Sequence, residues 1–333
     1  LWIVFSVGQM VAQETDDLRL YDNFKPLSKE NIFKTKGYYN WGSSIIKGND
    51  GSYHIFYARW KKEYSFTGWL THSEIAHATS KNPWGPWKFK QTVLKGRGDD
   101  HWDAISTHNP KIKYFEGKYY LYYISTNMGD KKISEEELVA TAKQGYSHPN
   151  WKILRPNQRT GVAVSNSLNG PWTRTDKPLL EPSGPITTLT VNPAITQGKD
   201  QQYYMIIKGD KPNETRFIRN QAVAIGKHPD GPFEIQEKAV IDYMDTEDMS
   251  VWYDRKRDRF YGVFHTKGII GMVTSTDGIN WEKANEYVLM PKRMTLDDGT
   301  SKTVDRFERP FIYVEEDSPK VLSIAVRDGD DAY

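Results

Sequence analysis

Thr107-His108-Asn109-Pro110-Lys111-Ile112 and Thr190-Val191-Asn192-Pro193-Ala194-Ile195 share one pattern, a polar residue before proline leading into an apolar strand. Altered copies read Thr246-Glu247-Asp248-Met249-Ser250-Val251 and Phe307-Glu308-Arg309-Pro310-Phe311-Ile312. A degenerate first copy reads Trp41-Gly42-Ser43-Ser44-Ile45-Ile46. A turn and an aromatic, β-rich run follow each copy, at 52–60, 118–126, 201–208, 259–266 and 320–327. Repetition of a strand pair marks an array or a propeller. Five copies predict an all-β, five-bladed β-propeller with Ser43, Asn109, Asn192, Asp248 and Arg309 at the starts of successive innermost strands.

A second repeated element agrees with that count. Small-residue strands at 75–80, 161–165, 222–225 and 271–275 lead through polar turns to Gly85-Pro86-Trp87, Gly170-Pro171-Trp172, Gly231-Pro232-Phe233 and Gly278-Ile279-Asn280-Trp281. This is hairpin grammar, and two inner plus two outer strands make a four-stranded blade. The steps are unevenly spaced, 83 residues from Asn109 to Asn192 but 56 from Asn192 to Asp248, so the blades carry functional loops. Between Lys131 and Tyr146, Ser134-Glu135-Glu136-Glu137 opens a capping box, which predicts a short helix inserted in the second blade.

Length and charge narrow the function. The 333 residues fit one propeller over 41–333, preceded by an N-terminal segment, 14–40. The apolar run 1–13 is too short to span a membrane and reads as the remnant of a secretory signal, so the expected location is secreted or periplasmic. The last unit shows two recognisable strands before Tyr333; either the chain is cut there or the segment before Trp41 completes the blade. A net charge of +2 gives no support to nucleic-acid binding. The absence of cysteine excludes disulfides and thiolate chemistry. Abundant Tyr and Trp suit blade packing and also sugar stacking.

The chemistry sits where the inner strands begin, because those starts converge on the propeller axis. They bring together His108, Asn109, Asn192, Glu247, Asp248, Glu308 and Arg309, with Asp103 just before the second copy. Converging charges must be paired or desolvated at a cost, which points to function. Paired carboxylates in a sugar-sized funnel suit glycosidic bond cleavage, one protonated and one ionised. Successive strand side chains alternate, so of Glu247 and Asp248 only one faces the axis, and equivalence with Asn109 and Asn192 favours Asp248.

These five units, with acids at inner-strand starts, resemble the five-bladed propeller glycosidases of glycoside hydrolase families 43 and 117, over roughly 41–327. The stretch Gly68-Trp69-Leu70-Thr71-His72-Ser73-Glu74-Ile75 is similar to secreted family-43-like proteins of polysaccharide-degrading bacteria. The resemblance implies a base Asp, a pKa-modulating Asp and a general acid. Asp248 matches the modulator's context, and Glu308 the acid's, with Glu247 the alternative. Family 43 places its base at the first inner strand, where this chain has Gly42-Ser43-Ser44; Asp103 is the substitute base and Glu74 the second choice. His72, His108, Asn109, Asn192, Glu247, Arg309, Trp102 and Glu74 are the expected substrate-binding residues.

No histidine spacing marks a metal motif. No cofactor is required, but related propellers imply a Ca²⁺ or Na⁺ ion on the axis, near His108. The expectation is an exo-acting, inverting glycosidase on plant or algal oligosaccharides. Arg59, Lys61, Lys62, Arg155 and Arg159 are candidate readers of anionic or anhydro-sugar groups. The alternatives are a propeller-type glycoside phosphorylase and a non-catalytic carbohydrate-binding propeller.

Overall fold

The computed structural model describes residues 17–333; the signal-like run 1–13 lies outside them. Five antiparallel sheets follow one another along the chain. The first is β1 (Tyr38–Lys47), β2 (Tyr53–Lys61), β3 (Glu74–Ser80) and β4 (Lys88–Leu94). The second is β5 (His108–Phe115), β6 (Lys118–Ser125), β7 (Arg159–Ser165) and β8 (Thr173–Arg174). The third is β9 (Thr187–Gln197), β10 (Tyr203–Asp210), β11 (Arg219–Gly226) and β12 (Phe233–Ile241), and the fourth β13 (Glu247–Asp254), β14 (Arg259–His265), β15 (Ile269–Ser275) and β16 (Glu282–Pro291). A hairpin, β17 (Arg293–Thr295) and β18 (Ser301–Thr303), precedes the fifth sheet, β19 (Arg306–Glu315), β20 (Ser318–Asp328) and β21 (Asp331–Ala332). The first strands of the five sheets pack on one another in a closed cycle, which makes the sheets the blades of a propeller.

Buried strand residues such as Tyr57, Tyr122, Tyr203 and Tyr261 fill the spaces between blades. The N-terminal segment seals the fourth and fifth blades. Leu18 and Leu20 are buried with Trp252, Tyr261, Phe307 and Val326. Asp17 accepts from the Tyr261 hydroxyl at 2.6 Å, and Glu286 accepts from the Leu20 amide at 2.5 Å. This segment joins the hairpin through a single bridge, Leu27 to Leu296, so the fifth blade keeps three strands.

The inserted helix forms as its sequence requires. In α1 (Glu135–Gln144) the Ser134 hydroxyl accepts from the Glu137 amide, and Glu137 accepts from the Ser134 amide at 2.9 Å. A second short helix, α2 (Trp151–Leu154), follows. Thr67, in the loop after β2, donates to the Ala142 carbonyl at 2.5 Å, and Trp69 of that loop meets Trp151 and His108. Loop and helices thus form a wall beside the mouth of the axis, above the first two blades.

Candidate functional site

The repeated polar step is a repeated β-bulge. On every inner strand two residues oppose one on the second strand: Gly42-Ser43, Asn109-Pro110, Asn192-Pro193, Asp248-Met249 and Arg309-Pro310. The first residue of each pair has a left-handed φ, at 44°, 52°, 57°, 65° and 60° in that order. Asn, Asp and Gly tolerate this conformation; Arg309 holds it under strain. A bulge re-aims its side chain, and here Asn109, Asn192, Asp248 and Arg309 turn toward the axis, with Gly42 at the fifth place. This corrects the sequence reading at one position, because Gly42, not Ser43, is the first-blade member.

The four side chains form a bonded ring. The Asn109 and Asn192 amides meet at 2.9 Å, Asn192 donates to Asp248 at 2.5 Å, and Arg309 pairs with Asp248 at 2.9 Å. With its nitrogen toward His108 Nε2 at 3.1 Å, Asn109 presents its oxygen to Arg309 Nη1 at 2.9 Å. A Cβ on Gly42 would lie 3.1 Å from the Asn109 side-chain amide, so glycine closes the ring. His108 is buried, with Nδ1 2.7 Å from the Ser73 hydroxyl. Burial first, then the Arg309 charge, push its pKa well down and hold it neutral.

Beside the ring stands Glu247. It accepts from Lys208 at 2.5 Å and from Arg219, and His265 Nε2 lies 3.4 Å away. Burial alone would raise its pKa; Lys208, His265 and Arg219 outweigh burial and hold it well below the usual carboxylate range. His265 Nδ1 lies 3.3 Å from Asp248, so this ring is held between two acids. Glu308 lies 3.4 Å from Arg306 and, like Glu247 and Asp248, acts on the charge of Lys292.

Asp103 is elsewhere. It is fully buried on the flank of the second blade, facing Arg97 at 2.5 Å, Arg174 at 3.1 Å and the Tyr123 hydroxyl at 2.7 Å. Those groups belong to the loop before β5 and to strands away from the axis, so Asp103 does not line the funnel with Asp248 and Glu308. Glu74 accepts from Arg59 and from Thr92, each at 2.8 Å, within the first blade. Trp102 stacks on Tyr123 and donates to Thr175. His72 stacks on Tyr64 at 3.7 Å and meets Glu135. Of the expected set, the axis gathers His108, Asn109, Asn192, Glu247, Asp248, Glu308 and Arg309.

The anticipated anion readers are also engaged. Arg155 forks onto Asp210 at 2.6 and 2.8 Å, Arg159 pairs with Glu181 at 2.7 Å, Lys61 pairs with Glu63 at 3.1 Å, and Lys62 pairs with Asp331. Sequence reasoning missed Lys208, Arg219, His265 and Lys292, which lie at strand ends away from the repeated step. Their signal was positional, the mouth-side end of β10, β11, β14 or β16.

An axial Ca²⁺ or Na⁺ does not fit these residues. Glu247, Asp248 and His265 offer ligand atoms within 4.8 Å of one another, but Lys208, Arg219 and Arg309 already face both carboxylates. Two residues beyond Asn109 on β5 stands Lys111, buried and lying at 4.9 Å over the ring of Phe311, which is two residues beyond Arg309 on β19, and Lys113 follows on β5. A hard cation wants six or more oxygen ligands; the β5 side of the axis instead carries the Lys111 amine. A depression of about 510 Å³ lies away from the ring between Tyr120, Ser165, Arg174 and Asp230 and gathers no pair of acids.

Neither a protein-family model nor a curated protein matches the sequence. Solved structures share the architecture. Zg3597, a family 117 glycoside hydrolase of the marine bacterium Zobellia galactanivorans, aligns with a TM-score of 0.59 at 19% identity over 83% of this chain and 78% of that one. An α-L-arabinofuranosidase from Lactobacillus brevis gives 0.56 at 14% identity, over 92% and 89%. A thermostable family-43 glycoside hydrolase gives 0.58 at 13%, over 89% and 88%. At these identities the likeness is one of fold: the chain is a five-bladed β-propeller of the architecture that these glycoside hydrolases use.

Proposed function

We propose that this chain is an exo-acting, inverting glycoside hydrolase that takes the end of a plant or algal oligosaccharide into the axial funnel. The observation that carries the reading is the gathering of Glu247, Asp248 and Glu308, from two blades, around Lys292 at the ring that Asp248 shares with amides and Arg309. Glycoside hydrolysis needs one carboxyl able to give a proton and another held ionised. Glu247 is the ionised group, fixed by Lys208 and Arg219, and it takes the proton of the attacking water in place of the expected Asp103. Glu308, whose ionic contact is Arg306 at 3.4 Å, is the least committed of the three and donates to the leaving oxygen. Asp248, bound by Asn192 and Arg309, modulates its neighbours' charge. The wall built by residues 62–72 and the two helices supports attack at a chain end. The apolar start of the sequence supports a secreted or periplasmic site of action.

A non-catalytic carbohydrate-binding propeller is the second reading, favoured by Gly42 standing without a carboxylate at the first inner strand. A panel of plant and algal oligosaccharides, assayed for released monosaccharide with and without phosphate, separates these readings. Hydrolysis is expected without phosphate, and Glu308→Gln should lower kcat about 10²–10⁴-fold with folding intact, since a positioned acid contributes on that order. Wild-type turnover in the Glu308→Gln protein sinks the assignment. Binding with no bond cleaved in any arm selects the second reading.

A further inference from the structure

Two cations at the funnel rim share a single acid. Arg306 and Arg327 are direct cross-strand partners on β19 and β20. Like charges placed opposite each other across a strand pair repel. Arg306 has Glu308 at 3.4 Å. Arg327 has no carboxylate within 4.0 Å among the described residues, and its Nε is buried without an acceptor. Both guanidinium groups lie over the same ring, Phe66, at 5.3 and 4.4 Å. That ring is buried against Tyr39, Trp41 and Trp60, so it is a fixed platform for two planar cations. Lys292 approaches from the hairpin side: burial pushes its pKa down while Glu308 draws it up.

Holding half-buried cations side by side costs free energy unless an anion meets them. A guanidinium presents its donors as a planar fork that matches a carboxylate or sulfate in bidentate fashion. Among the described residues nothing supplies that anion to Arg327, whose place next to Arg306 and Glu308 is where a substrate substituent would lie.

We propose that Arg306 and Arg327, on the Phe66 platform, form a subsite for an anionic group on the sugar, so that the substrate class is a uronate-bearing or sulfated oligosaccharide. This rests on the carbohydrate reading above and names its substrate. It also moves the anion-reading role from Arg59, Arg155 and Arg159, which have acids of their own, to the fifth blade.

Isothermal titration of the whole chain tests it without relying on turnover. The probes are oligogalacturonates, sulfated galactan oligosaccharides, and the same galactan oligosaccharides after desulfation. At low ionic strength one acidic series should bind at least tenfold more tightly than the neutral one; the uronate arm assigns a carboxylate and the sulfated arm a sulfate. Arg327→Gln should erase that preference, and Arg327→Lys, which keeps the charge and loses the fork, should keep part of it and covers the case where Arg327→Gln does not fold. Equal affinity for acidic and neutral sugars, no binding of any acidic sugar, or a preference that survives Arg327→Gln overturns the subsite. A preference for acidic sugars in a chain that hydrolyses none of them leaves the subsite standing and removes the hydrolase reading. Hydrolysis of neutral sugars without an acidic preference does the reverse.

Discussion

Asp103 and Glu247 are both buried acids facing two cations, yet the structure sets them in different places. Asp103 joins Arg97 and Arg174 inside one blade, away from any opening. Asp103→Asn should therefore cost roughly 3–5 kcal/mol, the usual cost of breaking a buried pair. Turnover per folded molecule should stay close to wild type; a large loss of kcat at unchanged stability would return Asp103 to the chemistry. Lys111 offers a second test at this scale. Burial, then the Arg309 charge, push its pKa down to about 7 from an ordinary 10.5. Between those values the unfolded chain binds more protons than the folded one, so folding stability rises with pH across that window. Lys113, pushed down by burial to about 8, adds to the same slope. Lys111→Met should reduce that slope in denaturation measured at pH 7, 8 and 9, and should stabilise the protein most at pH 7. An unchanged slope would show that Lys111 stays charged on the axis.

At the scale of elements, the bulge is the unit that makes the site. Five bulges at one level turn four side chains and Gly42 inward, and the residue at each decides the ring's chemistry. Gly42 is required twice, by its φ of 44° and by the closeness of Asn109. Gly42→Ala should cost about 1–2 kcal/mol from the left-handed backbone alone, read as a lowered denaturation midpoint. Loss of the Asn109 contact with Arg309 should follow. No destabilisation would mean that the first strand relaxes out of the bulge. The capped helix was legible from Ser134 and Glu137 because capping is decided within four residues. The sequence allowed it beside the mouth or against a side, and contacts of Thr67 and Trp69 from another blade set it at the mouth.

For the whole molecule, closing the ring depends on contacts distant in sequence. Leu20 is buried against the fourth and fifth blades, although most of its partners come more than 200 residues later. Leu20→Ala should lower stability by roughly 2–5 kcal/mol, as buried Leu truncations do. If the blades close without the segment, thermal denaturation of the variant will match wild type.

The sequence by itself determined the blade count, the inner strands with their polar step, the inserted helix and most of the axial residues, although on β1 and β9 the step falls mid-strand rather than at the start. Each of these is written in local, repeated pattern: alternation, the polar step, a turn, a cap. It misplaced the first-blade member by one residue, because a degenerate step does not show which residue takes the left-handed φ. Only the tertiary structure decided which acids meet and which cations hold them. Strand alternation fixes the face a side chain occupies, but not the partner brought to that face from another blade. Asp103 lies six residues from Asn109 and yet turns to Arg97 and Arg174, while Glu247 is held by Lys208, 39 residues earlier in the chain. Charge pairing acts through space, and the propeller's closure sets the distances.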